Sequence, residues 1–185
     1  MSPTTLRLEN IFSDAIIPSA LCDATIYDTK ANSNERKMII TIASKSLIPY
    51  EIIEEFKKYI KEKYSLTMFV LKVRYLDATV TKLGLEDYYK NLVFYVNEVV
   101  PGVRHLFLDS YASFDSDVLT IHCKYGVGLL HDMQCADTIK RLISAQTGQS
   151  LEVEFADESS IEEYEKVIEE TLTSLPEIEI SAEQS

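Results

Sequence analysis

Between Pro49 and Lys63 the chain places Ile52, Ile53, Phe56, Tyr59 and Ile60 at helical spacing, with Glu54, Glu55, Lys57, Lys58 and Lys61 between them. An α-helix turns once per 3.6 residues, so the five apolar side chains share one face. Pro49 suits a first helical position, where its missing N–H costs nothing. The flanking segments have a different rhythm. Ala24–Asp28 and Met38–Ala43 precede the helix and are rich in β-branched residues. The polar stretch Lys30–Lys37, with Asn32, Ser33 and Asn34, supplies the turn of a β-hairpin between them. Met68–Tyr75 follows, with Phe69, Leu71, Val73 and Tyr75 on one face and Lys72 and Arg74 on the other. A one-faced helix between one-faced strands buries both by lying on the sheet.

The order recurs further along. Ala78–Gly84 is a polar connection. Leu85–Val100 reads as a helix on Tyr89, Leu92, Val93, Val96 and Val100, stopped by Pro101-Gly102. A short helix is expected in Val103–Tyr111, a strand over Val118–Lys124 and a long helix over Gly126–Thr147, closed by Gly148. Leu151–Phe155 alternates as a strand, and Ile161–Leu175 is an acidic amphipathic helix. Near the start, Leu6, Leu8, Ile11, Phe12, Ile16 and Ile17 suggest a short helix ended by Pro18. Strand–helix–strand thus appears twice, near 38–75 and near 118–155, with no residue-level repeat. The expected class is α+β: two small modules, each a short mixed sheet covered by helices. The division is module I over 1–80, module II over 81–157, and an acidic helix and linker over 158–185.

Charge separates the chain the same way. Of its 30 acids and 18 bases, ten acids and a single base, Lys166, lie from Asp157 onward. The remainder is nearly neutral. A strongly acidic chain is a poor general phosphate binder, although a neutral body can carry a local basic face. No apolar run approaches a membrane span. MSPTTLRLENIF has neither a basic start nor an apolar stretch, and the three cysteines are too few for a disulfide scaffold. A cytoplasmic protein away from membranes is the expectation.

Chemistry-bearing groups are sparse. Gly126-Val127-Gly128 opens a helix after a strand, but position 131 is His131 where a dinucleotide fingerprint wants glycine. His122, Cys123, His131 and Cys135 have metal-ligand chemistry, yet His122 and Cys123 are strand neighbours that point to opposite faces. Asp115-Ser116-Asp117 has turn composition. No nucleophile–base–orienter set is supported by the spacing of the histidines. Hence no catalytic, metal or cofactor residue is assigned. The one basic concentration is Lys57, Lys58, Lys61 and Lys63, with Arg36 and Lys37 in the hairpin turn and Lys72 and Arg74 on the next strand. It reads as a solvated face interleaved with Glu51, Glu54, Glu55 and Glu62, or as a surface for a partner or single-stranded nucleic acid.

The hairpin, Ser46-Leu47-Ile48-Pro49-Tyr50-Glu51, the lysine-rich helix and the alternating strand up to Tyr75, followed by Asp87–Val100, Pro101–Phe114 and Val118–Lys124, form a sequence of motifs. This order resembles the N-terminal region of PolC-type DNA polymerase III alpha chains of low-GC Gram-positive bacteria, over roughly residues 10–160. The resemblance implies a first module that is KH-like, similar to adaptor modules of the clamp-loader tau subunit. It implies a fragment whose parent carries polymerase and 3'–5' exonuclease carboxylates beyond residue 185. It also implies docking to replisome proteins, tau or a similar one, with single-stranded DNA as the alternative ligand, and no activity in this chain itself.

Overall fold

The computed structural model describes residues 5–158 and 161–174. Its elements in order are α1 (Leu8–Ile11), β1 (Thr25–Asn32), β2 (Lys37–Ser44), α2 (Tyr50–Lys63), β3 (Met68–Tyr75), α3 (Leu85–Val99), β4 (Tyr111–Asp115), β5 (Val118–Cys123), α4 (Val127–Asp132), α5 (Cys135–Thr147), β6 (Glu152–Asp157) and α6 (Ile161–Ser174). Two mixed three-stranded sheets result, β1-β2-β3 and β4-β5-β6. In each, an antiparallel hairpin is followed by a helical crossover to a parallel third strand. The fold is α+β.

In the first unit the inner face of the sheet carries Ile40 and Ile42 of β2 with Phe69, Leu71, Val73 and Tyr75 of β3, all buried. Against it α2 lays Ile53, Phe56 and Ile60. Removing each of these side chains from water is worth about 1.5–3 kcal/mol. Helix α2 begins after Pro49, which stands as its N-cap and has no side chain to offer the free N–H groups. Asn91 of α3 supplies the missing cap: its Oδ1 accepts from Tyr50 N–H at 3.1 Å, and its Nδ2 donates to the Ile48 carbonyl at 2.8 Å. Helix α3 also reaches the second unit, where Tyr88 donates to Gln146 Oε1 at 2.7 Å. Both partners are buried. One continuous apolar core therefore runs from Leu8 through the 78–84 connection to Val153.

Three local expectations are corrected. Val103–Tyr111 is not a helix. Only Arg104–Phe107 forms a 3-10 turn, and Tyr111 opens β4. Asp115-Ser116-Asp117 is a turn, as its composition indicated: it forms the tip of the β4–β5 hairpin, where Ser116 and Asp117 both take positive φ, 50° and 63°. A two-residue loop of this kind matches the twist of the paired strands. The long helix over Gly126–Thr147 is broken at Gln134, whose φ is 54°. Leu130, Cys135, Ile139 and Ile143 are all buried, and a step of five residues between the first two does not fit one helical stripe, so the break brings both segments into register with the core. Near the N-terminus the helix stops at Phe12, well short of Pro18, with the Phe12 ring packed on Phe56 and Phe69.

Candidate docking surface

The basic residues singled out by sequence divide into three places. Lys57, Lys58, Lys61 and Lys63 lie on α2, which covers the inner face of the first sheet. Two of them are engaged: Lys57 with Glu54 at 2.6 Å and Lys63 with Asp14 at 3.6 Å. Asp14 is exposed, and its carboxyl sits below the usual carboxylate range chiefly because the Tyr64 hydroxyl donates to it. Arg36 and Lys37 stand at the β1–β2 turn. The Arg36 carbonyl accepts from Thr67 N–H at 2.9 Å and Lys37 pairs with Glu35 at 2.7 Å. Lys72 and Arg74 point from β3 to the opposite, outer face of the sheet, because they alternate with the buried Leu71, Val73 and Tyr75.

That outer face is a different surface from the α2 face. The register sets its rows: Asn32, Lys37 and Met68; Lys30, Ile39 and Val70; Asp28, Thr41 and Lys72; Thr25, Ala43 and Arg74. The irregularity between Ile26 and Asp28 makes Tyr27 an extra residue in β1. Its ring lies under the Arg74 guanidinium, 4.9 Å from the centroid. This stack spans β2 at Ala43, which it leaves 4% exposed. Ile39, Val70 and Met68 are half-buried, and Lys30 and Lys72 are exposed. The face thus has an apolar centre, the cations Lys30, Lys37, Lys72 and Arg74 around it, and Asp28 as the acid of its strands. Sequence reasoning missed Lys30, which it placed in the turn. The signal was parity: Lys30 sits opposite Ile39 only because β1 runs on to Asn32.

The outer face of the second sheet has the opposite sign. Asp115, Glu152 and Glu154 project from it, and a side-chain network crosses it. The His122 and Tyr111 rings stack at 4.5 Å with planes 8° apart. His122 Nε2 lies 2.8 Å from Ser113 Oγ, and Nδ1 lies 3.0 Å from Glu158 Oε1. Tyr111 donates to the same carboxylate at 2.8 Å. Sequence spacing gave no hint that Ser113, His122 and Glu158 meet, since the link depends on β4 pairing with β5. The connectivity is that of a nucleophile, a base and an orienting carboxylate. Ser113 is exposed on the outer face of the sheet, and the network joins the hairpin to the end of β6, where Glu158 N–H also donates to the Cys123 carbonyl at 2.8 Å.

The other histidines and cysteines are dispersed. Cys123 and Cys135 are buried. Burial, followed by the charge of Asp157, pushes the Cys123 thiol up to about 11, and burial raises Cys135 as well. The His131 ring packs edge-on against Phe155, 5.6 Å between centroids. Among the described residues no three His, Cys, Asp or Glu side chains are grouped so as to hold a metal ion. Gly126 serves the backbone: its φ is 82°, and a Cβ there would lie 2.7 Å from Leu106 Cδ2. Among the described residues no helix is long and apolar enough to cross a membrane. No family model, curated protein or solved structure matches the chain.

Proposed function

We propose that this chain is a non-catalytic docking region of a bacterial replicative DNA polymerase, working in the cytoplasm and tethering the polymerase to other replisome proteins. The parent polypeptide is a PolC-type alpha chain, residues 1–80 and 81–157 are its two N-terminal modules, the first KH-like, and the acidic segment from 158 leads into the next domain. The observation that supports docking is the outer face of the first sheet. It joins half-buried Ile39, Val70 and Met68 to exposed Lys30 and Lys72, a composition suited to a partner with an apolar ridge and acidic flanks. The α2 lysines are a poorer candidate, because Lys57 is held by Glu54 and Lys63 by Asp14, and Glu55 and Glu62 interleave with Lys58 and Lys61 without an apolar centre beside them.

Single-stranded DNA is the second reading, favoured by the Tyr27–Arg74 stack beside Lys30 and Lys72. Titration of the chain against clamp-loader tau and against a labelled oligonucleotide, each at two salt concentrations, tests both. Binding to tau that is lost on Lys30→Glu with Lys72→Glu supports docking. Oligonucleotide binding whose salt slope falls by about 0.7 per lost phosphate contact would give the face to DNA instead. Metal-dependent nucleotide transfer or exonuclease activity that follows the purified chain would overturn the non-catalytic reading.

A further inference from the structure

Two surfaces of this chain are exposed among the described residues and complementary in charge. One is the outer face of the first sheet, with Ile39, Val70 and Met68 at its centre and Lys30, Lys37, Lys72 and Arg74 around them. The other is α6. All of its described side chains are exposed. Among them Ile168 is 47% and Leu172 63% exposed, an unusual state for two large aliphatic groups one turn apart on the same side of a helix. Glu165 and Glu169 flank that pair, and Glu170 lies behind it.

We propose that the outer face of the first sheet receives α6 of a second copy of this chain. The inference rests on the reading of that face as a docking surface and adds a second occupant, one that competes with the replisome partner for the same residues. The spacings agree: residues i and i+4 of a helix are about 6 Å apart along the axis, and residues i and i+2 of a strand about 6.6 Å. Ile168 and Leu172 can therefore sit over Val70 and Met68 with the helix running along β3. With Ile168 over Val70 and Leu172 over Met68, Glu165 falls toward Lys72, the next outward residue of β3, and the flank that carries Glu169, turned to β1, faces the row of Lys30. Charge of opposite sign on the two surfaces favours encounter and fixes register, while the apolar contact supplies the lasting attraction. One helix on a three-stranded face makes an interface at the small end of the range, on the order of 1,200 Å² or less, so the association is weak and concentration-dependent.

The test is sedimentation velocity on the full chain over a wide concentration range, at low and high salt, with two charge-reversed variants. Both variants change exposed residues, so the fold is kept. The first carries Lys30→Glu with Lys72→Glu, the second Glu165→Lys with Glu169→Lys. The proposal expects the wild type to self-associate more strongly at low salt and each variant alone to stay monomeric. It expects an equimolar mixture of the two variants to associate again, because each reversed surface then meets its reversed partner. A wild type that is monomeric throughout, association that survives either variant, or a mixture without recovery would each overturn it. So would slow amide exchange of α6 in the monomer that Lys30→Glu with Lys72→Glu accelerates, which would place α6 on its own sheet. A chain that never self-associates yet binds tau through Lys30 and Lys72 would overturn the second copy as occupant and leave the docking reading standing.

Discussion

Asn91 caps the helix that begins at Tyr50: its side-chain oxygen takes the Tyr50 N–H at 3.1 Å while its amide donates to the carbonyl of Ile48. The pairing crosses from α3 to α2 and is 8% exposed at Asn91. A buried polar side chain with both ends satisfied holds two elements in one arrangement.

Replacing Asn91 by Ala leaves the Tyr50 N–H and the Ile48 carbonyl without partners in the interior. The expected cost is about 1–3 kcal/mol. It is read as a lower urea midpoint with an unchanged slope. A midpoint equal to wild type would mean that water or a neighbour takes over both bonds.

Gly126→Ala is expected to cost about 1–3 kcal/mol, from a positive φ and from the contact with Leu106 together. Adding Leu106→Ala removes the contact and not the backbone strain. A double-mutant cycle in urea should therefore show a coupling between the two positions that favours the pair, on top of the separate loss of the Leu106 side chain.

Much of the fold is legible in the residues, and the failures have physical causes. The α2 stripe, the parity of β3 and the hairpin before them stand clearly because each buries one face only. The strand β4 escaped because Tyr-Ala-Ser-Phe-Asp is short and its outward positions Tyr111, Ser113 and Asp115 are polar enough to resemble a loop. The break at Gln134 is hidden because apolar residues lie on both sides of it, and only the five-residue step from Leu130 to Cys135 betrays it. The lysines looked like one face because sequence proximity does not distinguish the two sides of a sheet. Alternation had already put Lys72 opposite Leu71, but the side that α2 covers is decided by packing.

Alkaline pH should unfold the protein through its tyrosines. Burial pushes Tyr75 up to about 12, and burial also raises Tyr88, Tyr89 and Tyr95. An unfolded phenol titrates near about 10. The folded state keeps protons that the unfolded state releases above that value, so this contribution is complete below pH 10 and is lost as pH rises through the folded values. Absorbance at the phenolate band should show the exposed tyrosines titrating first and the rest together with loss of circular dichroism. Titration of every tyrosine near the free value, with the fold intact, would contradict the burial of these rings.

The side-chain network on the second sheet makes a local prediction. His122→Ala removes the ring that Tyr111 stacks on and one of the two side-chain bonds to Glu158. Global stability should change by less than about 1 kcal/mol, since the site is at the surface. The Glu158 amide, bonded to Cys123, should exchange faster than in wild type. Unaltered exchange at Glu158 would show that the backbone bond alone holds the end of β6.

The central claim is that the outer face of the first sheet, rather than the α2 surface, is where this chain meets its partner. The most direct measurement compares association rates with clamp-loader tau for two charge reversals matched in number, Lys30→Glu with Lys72→Glu and Lys58→Glu with Lys61→Glu. All four lysines are exposed and lack an ion pair among the described residues. The account predicts that the sheet pair slows association at least about ten-fold at low salt, with a smaller dependence on ionic strength, while the helix pair stays close to wild type. Slow association with the helix pair and a wild-type rate with the sheet pair would contradict it.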